Sequence, residues 1–249
     1  LGVTDMATTF KLFYLGIAPD IDLTEGNITS ENHKALETMV FGSSSDPIAT
    51  HLQTLSPVGT SYKGGNATAY DVNNTESFTL DGGAAQVHDS TMLYLGTDIK
   101  YTDGTSVKVD AQVMQDTAGN LYLIPPTTGP NAYSNALTAK PIQQVTLGTA
   151  NPSSGTDVYG MNADRFVMTL KDYIVEGTAG NDVINNSYAG DPEGDKIDNT
   201  DGIDGSNNDT IMAGAGNDSI VANLGNDVIY AGTGDDTAFG GAGDDWASM

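Results

Sequence analysis

One nine-residue unit repeats through the end of the chain, as DGSNNDTIM (204–212), AGAGNDSIV (213–221), ANLGNDVIY (222–230), AGTGDDTAF (231–239) and GGAGDDWAS (240–248). The first half of each unit is rich in Gly or Asn, the sixth residue is Asp, and the eighth is Ile or Ala. The first unit fits this pattern more loosely than the other four. A fixed period of this kind predicts a repeat architecture, in which stacked units bury a continuous core.

The two halves of the unit have different physical tasks. The Gly-rich half, such as Gly232-Thr233-Gly234, turns sharply and lets backbone carbonyl groups point inward, which Gly does without steric cost. The Asp that follows adds a hard anionic oxygen beside those carbonyls, and Ca²⁺ prefers such oxygen ligands. The last three residues are extended, so Ile211, Ile220 and Ile229 are predicted to point into the core.

The unit resembles the G-G-x-G-x-D-x-U-x nonapeptide of RTX proteins, which winds a parallel β-roll and binds Ca²⁺ in its turns. The resemblance implies that one coil takes two nonapeptides. Asp209, Asp227 and Asp245 are then expected on one side of the roll, and Asp218 and Asp236 on the other. A flexible linker is the alternative for such composition, but four consecutive in-register copies favour the roll.

An earlier copy, GTAGNDVIN (177–185), places Asp182 three whole periods before the next turn aspartate. The intervening stretch YAGDPEGDKIDNTDGIDG (188–205) departs from the pattern, with Asp191 and Thr200 at the phase of the turn aspartate. We therefore expect irregular coils or an excursion here, whose acids can bind metal in another geometry. Asp182 is expected to begin a separate coil.

The other end of the repeat also departs from the pattern. Ala238 and Ala247 replace the inward Ile, so the last coil is expected to be thinner, or capped by Phe239 and Trp246. The candidate calcium-binding residues are the repeat aspartates and the turn glycines beside them. They are Asp182, Asp209, Asp218, Asp227, Asp236 and Asp245, with Gly205, Gly214, Gly216, Gly225, Gly232, Gly234, Gly241 and Gly243.

Electrostatics makes the roll depend on its ions. Stacked turns lie roughly 4.8 Å apart, the strand spacing. Two carboxylates at that separation repel by about 1 kcal/mol in water and by about 3 kcal/mol at an effective dielectric of roughly 20. Several Ca²⁺ ions between the turns convert this repulsion into ligation, so the roll is predicted to fold only with Ca²⁺ bound.

Composition narrows the partners and the setting. The 249 residues carry a net charge of −24, and residues 173–249 hold fifteen acids against the single Lys196. Such acidity argues against nucleic acid and anionic membranes as partners, and no apolar run is long enough to span a membrane. Cys is absent, which excludes disulfides and thiolate metal sites. No N-terminal signal peptide is visible, and the RTX resemblance implies secretion by a type I route that needs none.

Residues 1–172 are predicted to form a separate β-rich domain, ahead of the roll at 173–249. Strands are expected at 7–16, 77–80, 90–101, 106–115, 120–125, 141–148 and 163–175. Those between Thr91 and Ile124 are expected to form an antiparallel meander, with a tight turn at Asp103-Gly104. Short helices are expected at 31–40, capped by Ser30, and from Pro47, capped by Asp46 and ended by Pro57. The predicted fold class is mostly β, an N-terminal β-sandwich-like domain with one or two short helices followed by a parallel β-roll.

The sequence holds no recognised catalytic motif. The three histidines, His33, His51 and His88, do not form the H-E-x-x-H of RTX metalloproteases, and the G-x-S-x-G of RTX lipases is missing. His88-Asp89-Ser90 brings suggestive residue types together, but adjacent strand residues point to opposite faces. We therefore expect no enzyme, with a secreted hydrolase of unfamiliar site as the alternative.

The N-terminal stretch has a second resemblance. MATTFKLFYLGIAPDIDLTEGN (6–27) and AGNLYLIPP (118–126) look like the leader domain of secreted proteobacterial proteins in which RTX repeats and then a Hint self-processing domain follow. A Hint domain begins with a nucleophilic Cys, which this sequence lacks, so the chain is expected to be a trimmed or processed fragment. The function predicted is a calcium-dependent structural, adhesive or self-assembling extracellular component, whose partners are calcium and either itself or an extracellular surface.

Overall fold

A computed structural model describes residues 9–24, 30–58, 76–151, 165–166, 168–199 and 202–249. The chain divides into two compact units, one comprising Leu1–Tyr101 and Thr105–Met168 and the other Thr102–Gly104 and Thr169–Met249. Strands make up 43% of the described residues, which confirms the mostly β class.

The first unit contains nine strands in one hydrogen-bonded sheet. They are Phe10–Ile17 (β1), Val40–Phe41 (β2), Leu52–Val58 (β3), Ser77–Leu80 (β4), Gln86–Tyr101 (β5), Ser106–Asp116 (β6), Asn120–Leu123 (β7), Ile142–Thr146 (β8) and Thr149–Ala150 (β9). Every pairing between them is antiparallel. The expected meander is confirmed, since β5, β6 and β7 pair in succession.

Six of these strands close into a ring. The pairings run from β5 through β4, β3, β1, β7 and β6 and return to β5. The unit is therefore a small barrel whose strands share one sheet, where two packed sheets were expected. Closure leaves the ring without an unpaired edge. The remaining strands β2, β8 and β9 extend the sheet from the second half of β5.

The barrel interior is filled by large apolar side chains. Alternation along β1 turns Phe10 and Leu12 inward, and both are buried. Phe78 and Tyr122 lie edge to face with their ring centroids 6.0 Å apart, and both are at most 1% exposed. The other buried members of this cluster are Leu55, Leu80, Met114 and Ile124.

The expected helices are shorter than predicted or differently placed. The first is a 3-10 turn at His33–Leu36, and Ser30 forms no cap because it is buried against Ser90, with the hydroxyl oxygens 2.6 Å apart. The second is a 3-10 turn at Ile48–His51, after which the chain enters β3. Pro57 lies within β3 beyond the last β1 partner, so its missing N–H breaks no pairing with β1.

An α-helix, Ala132–Ala139 (α1), was not predicted. Asn131 caps it by accepting from the Ser134 N–H at 2.8 Å, while Ser134 Oγ accepts from the Asn131 N–H. Within the described residues, no helix is long and apolar enough to cross a membrane. The predicted strand at 163–175 is confirmed only at Ile174–Glu176, and residues 163, 164 and 167 lie outside the described part.

The second unit contains two parallel sheets built from alternating strands. One sheet comprises Ile174–Glu176 (β10), Thr210–Met212 (β12), Val228–Tyr230 (β14) and Trp246–Ser248 (β16), and the other Val183–Ile184 (β11), Ser219–Leu224 (β13) and Thr237–Ala242 (β15). From β12 onward, paired residues are eighteen apart in sequence, as Ile211 and Ile229 are. Two nonapeptides per coil give this offset, so the predicted parallel β-roll is confirmed.

The core of the roll is small and regular. Ile211, Ile220 and Ile229 are fully buried as predicted, and so are Ala213, Ala222 and Ala231 at the first position of each unit. The last coil is thinner, because Ala238 is only partly buried. The predicted capping by Phe239 and Trp246 is wrong: both rings face solvent, 61% and 52% exposed. Trp246 instead packs edge to face on Tyr230, with centroids 5.3 Å apart.

Candidate metal centre

The turns of the roll rest on a left-handed backbone at the second and fourth positions of the last four units, 213–248. Gly232 and Gly234 have φ of 98° and 142°, and the glycines of the neighbouring turns behave alike. Asn223 occupies the second position of its unit with φ of 70°. Asn is one of the few residues with a side chain that tolerate this conformation.

Stacked turns approach each other so closely that no side chain fits between them. A Cβ on Gly234 would lie 1.7 Å from the Gly216 carbonyl oxygen, and one on Gly243 would lie 1.7 Å from the Gly225 oxygen. The same holds for the second position, where a Cβ on Gly232 would lie 1.8 Å from the Gly214 oxygen. Each turn therefore presents backbone carbonyl oxygens directly to the next turn.

A carboxylate lies in each space between stacked turns. The backbone N–H of one turn aspartate donates to Oδ1 of the aspartate in the next turn on the same side. The pairs are Asp182 to Asp218 at 2.8 Å, Asp218 to Asp236 at 2.8 Å, Asp209 to Asp227 at 2.9 Å and Asp227 to Asp245 at 3.1 Å. Four inter-turn spaces are thus built alike, and the two sides hold the aspartates that the resemblance assigned to them.

A second ladder, one residue earlier in each unit, was missed from the sequence. Here an Asn side-chain oxygen accepts the backbone N–H of the next turn. The pairs are Asn181 with Asn217 (2.8 Å), Asn217 with Asp235 (3.0 Å), Asn208 with Asn226 (2.8 Å) and Asn226 with Asp244 (2.9 Å). The fifth position of the units holds Asn or Asp throughout, and this regularity could have indicated the ladder.

The expectation that Asp182 begins a separate coil is wrong. Strand β11 pairs directly with β13, so Val183 lies opposite Ser219, 36 residues along the chain. The regular offset between paired residues is eighteen. The additional eighteen residues form an insertion between β11 and β12. The turn of Asp182 therefore stacks on the turn of Asp218 as the other turns do.

Two buried oxygens in these spaces have no hydrogen-bond partner within the described residues. They are Oδ2 of Asp218 and Oδ2 of Asp227, on side chains 2% and 1% exposed. A buried anionic oxygen without a partner costs several kcal/mol unless a cation or donor reaches it. Stacked carbonyl oxygens and an unpaired carboxylate oxygen form an all-oxygen donor set, which fits Ca²⁺. The spaces at Asp218 and Asp227 thus fit the ion at the level of donor chemistry.

Without a cation, the surroundings of Asp227 disfavour the charged form of its carboxylate. Burial raises the pKa of Asp227 to about 6, although the N–H of Asp209 opposes the shift, and the carboxylates of Asp245 and Asp198 raise it further. A divalent cation offsets both causes because it replaces lost hydration and screens the neighbouring charges.

The ends of the stack differ from its middle. At the first turn, Oδ2 of Asp182 accepts from the Thr178 N–H at 2.7 Å and from Thr178 Oγ1 at 2.9 Å, so this carboxylate is closed within its own turn. At the last turns, Asp236 is half-buried and Asp245 is exposed. Asp209 is buried, and its Oδ2 accepts from the N–H of Asp198 in the insertion at 3.0 Å.

The insertion confirms the expected irregular stretch. Asp191 does not act as a turn aspartate; its carboxylate accepts from the N–H groups of Glu176, Glu193 and Asp195. Ile197 is buried in the core of the roll. Thr200 lies outside the described residues.

A further acidic group adjoins the insertion and was not predicted. Asp172, Glu176 and Glu193 each bring a carboxylate oxygen within 4.8 Å of the others, and all three are half-buried. This group lies off the nonapeptide phase, so the repeat pattern could not indicate it.

The three histidines considered for catalysis each lie within hydrogen-bonding distance of another protein group. His88 is fully buried, with Nε2 2.9 Å from Thr91 Oγ1. His51 has Nε2 2.8 Å from Asp46 Oδ1 and Nδ1 3.2 Å from the Tyr14 carbonyl oxygen, so both ring nitrogens have partners. His33 has Nδ1 2.6 Å from the Ser30 carbonyl oxygen.

Comparison with known proteins agrees with the geometry of the roll. The family model of the RTX calcium-binding nonapeptide repeat (four copies) matches residues 203–238 and 222–247. The searches of curated proteins and of solved structures return no match, so they lend no support to the resemblance of the N-terminal stretch to leader domains. Residues 203–247 are repeats of the RTX type, and this match supports the prediction that the protein binds calcium.

Proposed function

We propose that this chain is a secreted, calcium-dependent structural or adhesive component, in which Ca²⁺ binding folds the roll and the barrel carries recognition or self-association. The observation that carries the proposal is the buried Oδ2 of Asp218 and of Asp227, unpaired within the described residues and set between stacked turns. An anionic oxygen there needs a cation, and the flanking donors are all oxygens.

The chemistry of the spaces favours Ca²⁺ over Mg²⁺. Ca²⁺ accepts six to eight oxygen ligands in flexible geometry, whereas Mg²⁺ demands a near-ideal octahedron and keeps its waters. The backbone carbonyls of two stacked turns are held in place by the paired strands. They cannot move inward around the smaller ion without disturbing that pairing. The proposal therefore includes selectivity for Ca²⁺.

The proposed secretion agrees with the same calcium chemistry. RTX repeat proteins are generally secreted, and sites of modest affinity fill at extracellular calcium concentrations while staying empty in the cytoplasm. Ion binding that is coupled to folding then delays formation of the roll until the chain is outside the cell.

The test is calorimetry and circular dichroism on the metal-free full chain. Adding Ca²⁺ is expected to release or absorb heat and to increase the strand signal, and Mg²⁺ at equal concentration is not. Asp227→Asn is expected to weaken binding, because it removes the buried carboxylate from one space. Asp235→Asn is the matched control: it removes one charge from an exposed side chain at a position where other turns already carry Asn.

Three results would count against the proposal. These are no heat, no change in strand content, or equal losses in the two variants. Adhesion and self-association are tested separately, by sedimentation of the Ca²⁺-loaded chain across concentrations. A strictly monomeric species would remove self-association and leave calcium binding untouched.

A further inference from the structure

A side chain from the insertion replaces a backbone contact in the stack of turns. Elsewhere in the stack, the N–H of the third residue of a unit donates to the backbone carbonyl oxygen of the second residue in the turn stacked before it. The pairs are Thr233 with Gly214 at 3.0 Å and Ala215 with Thr178 at 3.2 Å. In the unit 222–230 the corresponding N–H, that of Leu224, donates to Oδ1 of Asp198 at 3.1 Å. The Asp198 carboxylate therefore takes the place of a backbone carbonyl oxygen.

Asp198 contacts both turns that enclose the space between Asp209 and Asp227. Its side chain accepts from Leu224 in the turn of Asp227, and its own backbone N–H donates to Oδ2 of Asp209 at 3.0 Å. The second contact follows the pattern of the turn aspartates, in which a backbone N–H donates to the carboxylate of the next turn. Asp198 thus precedes Asp209 in that series, although the two residues are only eleven apart in sequence.

Packing and backbone conformation together fix the position of Asp198. The preceding residue, Ile197, is 2% exposed and belongs to the core cluster of the roll. Asp198 itself has φ of 56°, a left-handed conformation that Asp tolerates better than most residues with a side chain. The insertion therefore holds this carboxylate against the stacked turns.

The space that Asp198 adjoins contains a buried anionic oxygen. Oδ2 of Asp227 has no hydrogen-bond partner within the described residues, and Asp227 is 1% exposed. Burial raises the pKa of Asp227 most, and the carboxylates of Asp245 and Asp198 raise it further, so the charge of Asp198 acts on this buried group. Where other turns have a neutral carbonyl group, this space has a second negative charge. Without a cation that replacement is unfavourable, and with a divalent cation it becomes favourable.

We propose that Asp198 is a Ca²⁺ ligand of the space between the turns of Asp209 and Asp227, contributed by the insertion and not by a nonapeptide. A carboxylate has about four acceptor sites on its two oxygens, so the bond from Leu224 leaves capacity for a cation. The inference rests on the proposed calcium binding of the roll and adds a ligand to one of its sites. The number of charged ligands tunes Ca²⁺ affinity, so this space is expected to bind more tightly than a site with nonapeptide ligands alone.

A purely structural role for Asp198 predicts a different result on substitution by Asn. The Asn side-chain oxygen can still accept from the Leu224 N–H, and Asn tolerates the left-handed conformation. A hydrogen-bond acceptor is therefore retained in Asp198→Asn, whereas the charge that a Ca²⁺ ligand needs is lost. This variant separates the two roles.

The test is Ca²⁺ titration of the metal-free full chain by calorimetry. Asp198→Asn is expected to weaken the binding of one ion at least about tenfold, because even residues that only support a metal ligand change metal affinity by roughly 10–100-fold. Hydrogen exchange at saturating Ca²⁺ is expected to show the Leu224 amide as protected as in the parent. Asp244→Asn is the matched control: it removes one charge from an exposed side chain on the same side of the roll, where the two preceding turns carry Asn.

The outcomes separate this inference from the proposed function. Ca²⁺ binding by Asp198→Asn that equals that of the parent would overturn the inference and leave calcium binding by the roll intact. Equal weakening in Asp198→Asn and Asp244→Asn would overturn it too, because a general effect of charge would then suffice. Loss of protection at the Leu224 amide would assign Asp198 a structural role instead. Absence of Ca²⁺ binding by the parent would overturn the proposed function together with the inference.

Discussion

The barrel and the roll show two ways of stabilising a β structure within one chain. The barrel closes its sheet around large side chains such as Phe78 and Tyr122, which are at most 1% exposed. The roll stacks parallel strands around small aliphatic side chains, mostly Ile and Ala, and it buries turn carboxylates such as Asp227. Hydrophobic burial dominates the first structure, whereas the second buries charge, and we propose that cations offset that charge.

The difference predicts that a loss of core volume in the barrel leaves the calcium sites of the roll unchanged. Phe78→Ala is expected to lower the free energy of unfolding of the barrel by about 3–5 kcal/mol, because it leaves a cavity beside Tyr122. Calcium affinity should stay the same. Chemical denaturation followed by tyrosine fluorescence, together with calorimetry, checks both. A loss of calcium binding would show that the calcium sites of the roll depend on the core of the barrel.

The roll should instead be sensitive at its glycines. Gly234→Ala places a Cβ 1.7 Å from the Gly216 oxygen at a φ of 142°, so a loss of at least about 1–3 kcal/mol is expected from backbone strain. Gly180→Ala is the matched control, because its nearest neighbouring atom lies 3.6 Å away. Thermal unfolding in Ca²⁺ measures both variants. Equal midpoints would show that the stacked turns are looser than described.

The turn of Asp182 allows a finer test within the roll. Asp218→Asn removes the carboxylate between the turns of Asp182 and Asp218, so one Ca²⁺ fewer is expected by native mass spectrometry. Residues 185–199 should then lose protection against hydrogen exchange, since this space joins the two coils that flank the insertion. An unchanged ion count would mean that the closed carboxylate of Asp182 leaves this space without an ion.

The smallest expected effect is the contribution of Asp195 to the pH dependence of the Ca²⁺-loaded roll. Burial raises the pKa of Asp195 to about 6 although Lys171, 3.2 Å away, opposes the shift, and the carboxylates of Asp191 and Asp172 raise it further. The folded state therefore binds this proton more tightly than the unfolded chain, and stability should fall as pH rises from about 4 to about 6. Asp195→Asn should flatten this fall in thermal unfolding. The same pH dependence of stability in the parent and in Asp195→Asn would contradict the assignment.

The roll was predictable because its signal is periodic and local. Asp209 and Ile211 recur in phase, and the RTX resemblance implied the stacking of residues eighteen apart. The stacking of the Asp182 turn on the Asp218 turn was not predictable, because an insertion of eighteen residues equals two whole periods and leaves the phase of the repeat unchanged. Only the pairing of β11 with β13 shows where the chain leaves the roll.

Most strands of the barrel unit were predictable, but β3, which was predicted as part of a helix, and the closure of the ring were not. Alternation and turn residues indicate β5, β6 and β7, which are neighbours in sequence. Closure depends on pairings between distant segments, such as Phe13 with Leu123, that no local pattern encodes. Helix α1 was missed because its Asn131–Ser134 cap differs from the Ser/Thr to Glu/Gln pattern of a capping box.

Hydrogen exchange of the full chain with and without Ca²⁺ tests the central claim most directly, because it reports on both units in one experiment. With Ca²⁺ removed, the amides of β12 to β16 are expected to exchange at the rate of an unfolded chain, while those of β1 and β5 to β7 keep their protection. Adding Ca²⁺ should restore the roll alone. Protection of the roll that is equal with and without Ca²⁺ would contradict the claim that the ion folds it.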